Sequence, residues 1–162
     1  MDKEKLAHPL LVQQYELVKS ARATLLDFCV EISQQDFLTL ESSFGRGSIR
    51  NLLTHIANVY EFWIVENVAK RAIDVRPFSA VKNIADARNY FEKINQTVDI
   101  FIAEYSEKLH EKICVNLNDH EITTSPFEVF THLITHEFHH KGQILSLSRH
   151  LGYTPIDTDI IR

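Results

Sequence analysis

Residues 84 to 105 carry the feature that most constrains the fold of this chain. Apolar side chains recur there at alternating separations of three and four residues, as Ile84, Ala87, Phe91, Ile94, Val98, Phe101 and Tyr105. This spacing gathers them on one face of an α-helix and is typical of the seam of a helix bundle. Only 4 Gly and 4 Pro occur in 162 residues, so the composition favours long helices over a turn-rich sandwich.

Three further segments show the same helical spacing of apolar residues. The first begins near His8-Pro9 and carries Leu11, Val18, Ala21, Leu25, Phe28 and Ile32. The second carries Ile49, Leu52, Ile56, Val59 and Trp63. The last carries Val129, Leu133, His136, His140, Ile144, Leu147 and Leu151. Four amphipathic helices in one chain of this length predict an all-α, four-helix bundle that occupies residues 1–162 as a single domain.

Residues with defined roles at helix ends separate these segments. Ser48 can accept from the free amides of the second helix, and Ser125-Pro126 with Glu128 has the pattern of a capping box at the start of the last. Gly152 can end that helix. Between the third and fourth helices, Ile113, Val115 and Leu117 alternate with polar residues before Asn118-Asp119, which predicts a short β-hairpin.

Charge and composition indicate where the protein is located and which classes of partner it can bind. The net charge of -5 offers no basic stripe for a phosphate backbone, so no direct binding of nucleic acid is expected. The N-terminal residues lack the apolar core of a signal peptide, and no apolar run approaches the roughly 20 residues of a bilayer span, so a cytoplasmic protein without a membrane partner is expected. Cys29 and Cys114 lack the paired spacing of a zinc or redox motif and are expected to be reduced and buried.

The segment His136-Glu137-Phe138-His139-His140 matches H-E-x-x-H, in which two histidines one turn apart hold zinc and the glutamate activates water. A zinc protease of this kind also needs a third ligand downstream. The longer metzincin pattern requires Gly at 143 and His at 146, where this chain has Gln143 and Ser146, and no glutamate follows Glu137. The sequence therefore argues against a protease.

The spacing of His136 and His140 still favours a metal site. Placed at about 100° per residue, both lie on the apolar face, where two imidazoles without a partner would be costly. His132 and His139 lie about 80° and 100° from the centre of that face and are expected outside the ligand set. His55, beside the apolar stripe of the second helix, is by itself more typical of a structural histidine than of a ligand.

Two stretches together resemble the DinB/YfiT-like superfamily. One is Ser48-Ile49-Arg50-Asn51-Leu52-Leu53-Thr54-His55-Ile56 with Trp63 after it, and the other runs from His132 to Ile144 and includes His140-Lys141-Gly142-Gln143. The latter is similar to the family's HHRGQ pattern, with Lys141 in place of arginine. The tail Leu151-Gly152-Tyr153-Thr154-Pro155 also resembles the ending of DinB-like members, so the resemblance spans nearly the whole chain.

The resemblance implies a bundle, often dimeric, in which three histidines hold a divalent metal. One ligand comes from the second helix and two from the fourth, which maps onto His55, His136 and His140. Glu137 and Gln143 are close enough along the helix to be outer partners that orient the ligands. The ligand set favours zinc or nickel and leaves iron or manganese as alternatives, since imidazole alone does not select a metal.

Three neutral imidazoles would leave at least one open position on the metal, where water or a thiol can lose a proton more easily. Characterised relatives include low-molecular-weight-thiol S-transferases and mycothiol-dependent isomerases. The resemblance thus implies a metal-dependent enzyme on a small-molecule substrate, thiol S-transferase-like or hydrolase-like, with the catalytic residues unassigned. A non-enzymatic metal-binding stress-response protein is the alternative, and a homodimer is expected for either.

Overall fold

The structure is a computed structural model that describes residues 4–162, with side chains from Pro9 onward. Its helices are α1 (Glu4–Val30), α2 (Gln34–Leu38), α3 (Ile49–Tyr60), α4 (Ile84–Tyr105) and α5 (Pro126–His150). A π-helix over Glu61–Val68 continues α3, and a 3-10 turn over Phe78–Ala80 precedes α4. The strands β1 (Ile113–Leu117) and β2 (His120–Thr124) form an antiparallel hairpin before α5. The predicted all-α bundle with a short hairpin between its third and fourth long helices is confirmed.

The long helices pack around one apolar core. Both α1 and α3 contact α4 and α5, so the interior is enclosed on four sides. Residues that are almost fully buried there include Tyr15, Leu52, Ile56, Tyr60, Ile94, Phe101, Phe130, Leu133 and Ile144. Each such side chain contributes about 1.5–3 kcal/mol through burial. Within residues 4–162, none of the helices combines the length and hydropathy that a bilayer span requires.

The helix ends follow the predicted capping residues. The Ser48 hydroxyl accepts from the Asn51 amide at 3.1 Å at the start of α3. At the start of α5, Ser125 accepts from the Glu128 amide at 3.3 Å, and Pro126 occupies a position where no amide donor is needed. Gly152, with φ +94°, adopts the left-handed conformation directly after α5. These residues fix where the two histidine-bearing helices begin and where α5 ends.

The N-terminal region differs from the sequence prediction in two respects. The sequence predicts a start near His8-Pro9, whereas α1 begins at Glu4 and continues through Pro9. Pro9 is the sixth residue of α1, beyond the first four amides, so its missing N–H leaves one helical hydrogen bond unmade near the start of the helix. The short α2 is not predicted by apolar spacing, since Phe37 is its one buried residue. It begins at Ser33, whose hydroxyl accepts from the Asp36 amide at 3.1 Å.

The hairpin follows the predicted turn. Asn118 and Asp119 have φ of 52° and 63°, which matches a two-residue type I′ turn. The hairpin is held against the end of the π-helix, because the Asn116 amide donates to Asn67 Oδ1 at 2.8 Å. Lys70 Nζ also donates to the carbonyl of Cys114 at 2.6 Å. The hairpin therefore covers the end of the helix that carries Trp63.

The two cysteines have different surroundings. Cys29 is buried, as predicted, and burial raises the pKa of its thiol to about 12. Cys114 is exposed, so the prediction that both cysteines are buried is wrong for this residue. Successive strand residues point to opposite faces, and it is the next residue, Val115, that turns inward from β1.

Candidate metal centre

Three histidines meet between α3 and α5. His55 comes from the middle of α3, and His136 and His140 lie one turn apart on α5. One ring nitrogen from each lies within 4.8 Å of the others. The ring centroid of His55 is 5.1 Å from that of His136 and 4.7 Å from that of His140. The structure therefore brings together the three residues that the resemblance singles out.

Gln143 fixes which nitrogen of His140 faces the centre of the cluster. Its Oε1 lies 2.7 Å from His140 Nδ1, while its Nε2 lies 3.2 Å from His139 Nε2. Because the amide oxygen only accepts, Nδ1 of His140 carries the proton and donates to it. The lone pair of His140 then resides on Nε2, which faces Nε2 of His136 at 3.0 Å. The structure thus places Gln143 against the second nitrogen of His140, the kind of contact that usually orients a ligating histidine, and its outer role stays a prediction.

The electrostatic surroundings keep these imidazoles neutral. Burial, followed by the charge of Arg46, lowers the pKa of His55 to about 4. Burial and the neighbouring histidines lower the pKa of His136 to about 3. Burial also lowers the pKa of His140, although the hydrogen bond with Gln143 acts in the opposite direction. At neutral pH all three rings are therefore free of the proton that would compete with a metal.

The geometry suits a divalent ion. Ligand nitrogens about 2.0–2.1 Å from a tetrahedral zinc ion lie roughly 3.3 Å apart. The two Nε2 atoms on α5 are 3.0 Å apart, close to that separation. Two neutral imidazoles cannot both satisfy facing lone pairs without a shared proton or an ion. The arrangement of donors is therefore compatible with a three-histidine metal site.

The other histidines of α5 are His132 and His139, beside the cluster, and His150, near the end of the helix. His132 packs against Trp63, with ring centroids 5.2 Å apart. His139 contacts the amide of Gln143 at 3.2 Å. Near the end of the helix, His150 is exposed and lies 3.2 Å from the carboxylate of Glu41. The structure groups none of these three with His55, His136 and His140 as a set of ligand atoms within residues 9–162.

Glu137 has a different position from the one predicted. Its carboxylate is 4% exposed and faces away from the cluster, towards α1 and α3. Arg22 donates to Oε1 at 2.6 Å and to Oε2 at 2.8 Å, and the Tyr60 hydroxyl donates to Oε2 at 2.6 Å. With both oxygens bound in this way, the carboxylate neither orients a ligating histidine nor can activate water as in the H-E-x-x-H proteases. Its partners give it a structural role within the bundle.

The Arg22–Glu137 pair belongs to a buried polar network that joins all four long helices. Arg22 Nη1 donates to Asn95 Oδ1 on α4 at 2.7 Å, and the Tyr15 hydroxyl donates to the same oxygen at 3.0 Å. Burial opposes the charge on Arg22, but the charge and hydrogen bond of Glu137, together with Tyr15 and Tyr60, raise the pKa of Arg22. Burial and then Glu137 raise the pKa of Tyr60, so this hydroxyl stays a donor. The network fixes how α5 lies against α1, α3 and α4 beside the histidines.

The whole chain, residues 1–162, matches the family model described as the DinB family. The chain belongs to the DinB family. A comparison with curated proteins gave no significant match. The family assignment therefore rests on the match along the full length of the chain. The three clustered histidines are a separate, structural observation. In this DinB-family chain the histidines of the second and fourth long helices lie where the resemblance implies.

Sequence reasoning did not identify Arg22 or Arg46 in this DinB-family protein. Arg22 continues the inward stripe of α1, since Tyr15, Val18, Arg22 and Leu25 follow each other at separations of three and four. A charged residue at such a position signals a buried partner. Its partner Glu137 is 115 residues away in the chain, so the spacing alone cannot name it. Arg46 lies in a loop, where helical periodicity carries no information about its contacts.

Proposed function

We propose that His55, His136 and His140 bind one divalent metal ion and that the protein uses it to activate a small molecule. The observation that carries this proposal is the convergence of the three ring nitrogens within 4.8 Å. The pKa values of about 4 and 3 at His55 and His136 add support, because neutral imidazole is the ligating form. Membership of the DinB family adds independent support.

The ion would act as a Lewis acid that makes a thiol or a water molecule easier to deprotonate. The protein's own residues prepare the site for this. Gln143 holds the His140 ring in one orientation through Nδ1. His55 and His136 are half-buried rather than enclosed, so one side of the cluster stays accessible to a small molecule. An accessible side distinguishes a catalytic metal site from a closed structural one.

We propose zinc or nickel as the ion, with iron or manganese as the alternatives, because the three ligands are all imidazoles. For the reaction we propose a thiol S-transferase-like or a hydrolase-like activity. A low-molecular-weight thiol is the favoured substrate class, and its thiol group would react with an electrophile. In this proposal the attacking group comes from the small molecule, and the three histidines hold the ion.

A thiol-transfer assay tests this proposal. Protein freed of metal and reloaded with zinc or nickel is given 2-mercaptoethanol and monochlorobimane, and the fluorescent thioether is measured. We expect product formation that depends on the metal and is lost in His136→Ala, with His150→Ala as a matched control. Ester hydrolysis by the same samples separates the hydrolase-like reaction. Metal binding without either activity would favour a non-enzymatic metal-binding role.

We also propose a homodimer formed through helix faces away from the histidines. On α1, Leu10 and Leu17 are 62% and 47% exposed and lie seven residues apart, on the same side of the helix. Isologous pairing of such faces is the commonest assembly of soluble proteins. Sedimentation equilibrium should give twice the mass of the 18.8 kDa chain, and Leu17→Glu should shift it towards the monomer. A monomer mass at all concentrations would contradict this proposal.

A further inference from the structure

A single arginine lies against the outer side of the histidine cluster. Arg46 is exposed in the loop before α3, and its Nη2 lies 3.3 Å from Nε2 of His55. The guanidinium therefore lies at the edge of the histidine cluster, in contact with His55.

A guanidinium at this position is electrostatically unfavourable for a cation site. Two unit charges about 4 Å apart interact by roughly 1 kcal/mol in water and more near a protein surface, and here both would be positive. Arginine has only donors, so it cannot serve as a metal ligand itself. The position becomes favourable when a negatively charged group lies between the arginine and the ion.

Within residues 9–162, no acidic side chain supplies that negative group to Arg46. Glu41 is the acidic residue of the 39–48 loop, and its carboxylate contacts His150 at 3.2 Å and the Ser43 amide at 3.3 Å. Most of the five N–H donors of Arg46 are therefore available to a ligand.

The loop backbone holds Arg46 in place. Asn51 Nδ2 donates to the carbonyl of Arg46 at 2.8 Å, and the Gly47 amide donates to the carbonyl of Phe44 at 2.8 Å. Gly47 has φ +82°, and an added Cβ would approach Leu40 to 3.3 Å, so glycine is needed directly after the arginine. The position of Arg46 beside His55 is thus built into the turn that starts α3.

We propose that Arg46 binds an anionic group, a carboxylate or a phosphate ester, of the small molecule that occupies the metal site. This inference rests on the proposed function and assigns a substrate class to it. The paired N–H groups of a guanidinium match two oxygens of such a group. A thiol with an acidic group a few bonds away would then place its sulfur at the histidines and its negative charge at Arg46.

Calorimetry on the metal-loaded protein tests the proposal with two thiols of similar size. We expect 3-mercaptopropionate to bind about tenfold more tightly than 2-mercaptoethanol, as suits one charge-assisted contact. Arg46→Gln should abolish this difference by weakening the binding of 3-mercaptopropionate more than that of 2-mercaptoethanol, whereas Arg46→Lys should keep part of it. Acetate and inorganic phosphate as competitors then distinguish a carboxylate from a phosphate site.

Two controls separate Arg46 from a general loss of positive charge. Arg50→Gln removes the same charge four residues away, where the Arg50 Nε donates to Asn51 Oδ1 at 3.1 Å, and should keep the preference for the acidic thiol. In buffer without coordinating anions, Arg46→Gln should bind the metal roughly tenfold more tightly than the wild type, since a repulsive charge is gone. This change in metal affinity can be measured whether or not the protein has catalytic activity.

The outcomes distinguish this inference from the proposed function. If the wild type binds the metal but treats both thiols alike, or if Arg46→Gln keeps the preference, the role of Arg46 is refuted and the metal site stands. If the metal-loaded protein binds neither thiol, the thiol reaction is refuted. The binding of acetate to the metal-loaded protein then tests the role of Arg46. Acetate binding that disappears in Arg46→Gln supports its role, and no acetate binding overturns it. A wild type without metal overturns both proposals.

Discussion

Two clusters of polar side chains lie side by side on α5, and they differ in charge and in exposure. The Arg22–Glu137 network is charged, and the side chains of both residues are at most 5% exposed. The histidine cluster is neutral, with His55 and His136 half-buried and His140 buried, and the Nε2 atoms of His136 and His140 are 3.0 Å apart. Glu137 directly follows His136 in the chain, so one turn of helix serves both clusters.

Buried polar groups have different effects depending on whether other groups of the chain satisfy them. In the network, each charge is neutralised within the chain, so its effect is on the stability and geometry of the bundle. In the histidine cluster, the lone pair of His140 Nε2 faces His136 Nε2 at 3.0 Å, and the neutral rings can give their lone pairs to an added cation. The first cluster therefore holds the helices, and the second is suited to bind a ligand.

The largest effect is expected when the network loses its negative charge. Glu137→Gln leaves Arg22 buried without a counter-charge and should lower the free energy of unfolding by about 3–5 kcal/mol, as measured by denaturant unfolding. Replacing both residues by methionine should recover most of this loss, because the buried charge is then gone as well. Glu128→Gln at the exposed start of the same helix serves as the control and should cost about 1 kcal/mol or less. Equal effects of Glu137→Gln and Glu128→Gln would remove the distinction between the clusters.

Removal of one ligand should affect metal binding more than stability. His140→Ala should weaken the metal affinity by more than about 100-fold, since outer partners already account for about 10- to 100-fold. Competition with a chelator of known affinity measures this change. His132→Ala, one turn towards the hairpin, should stay within about tenfold of the wild type. A metal affinity that depends equally on His132 and His140 would contradict the proposed ligand set.

The two clusters also differ in how far the sequence predicts them. The separation of four residues between His136 and His140 is visible in the chain, because helical geometry places them on one face. His55 needs the family resemblance, since its partners come from another helix. The sequence does not predict the Arg22–Glu137 network for the same reason. It also predicts the wrong contacts for Glu137, because helical periodicity shows which way a side chain points but not which distant group it contacts. The sequence prediction misses the π-helix and α2, because their apolar residues are too few or too irregularly spaced to indicate a separate element.

A smaller effect is expected from the residue that orients the ligand. Gln143→Ala removes the acceptor for His140 Nδ1–H and should weaken the metal affinity by about 10- to 100-fold. Gln143→Glu keeps an acceptor oxygen at the same distance from the backbone and should retain most of the affinity. Both variants are compared by the same chelator competition. Equal losses in the two variants would show that the contact with Gln143 does not orient the ligand.

The smallest effect concerns the pH dependence of the metal-free protein. The pKa values of His55 and His136 are about 4 and about 3 in the folded chain, below the ordinary value of 6.5. The unfolded chain therefore binds more protons below about pH 6.5, so the free energy of unfolding should fall as the pH decreases from about 6.5 towards 4. His136→Asn, which does not titrate, should show a weaker dependence. An unchanged slope in that variant would contradict the assignment.

The most direct test of the account is anomalous diffraction from crystals of the zinc- or nickel-loaded protein at the absorption edge of the metal. The account predicts one strong peak per chain, bonded to His55, His136 and His140, with Glu137 still paired with Arg22. A peak at another group of residues, such as His150 and Glu41, would contradict the central claim. So would the absence of any peak among the three histidines after loading.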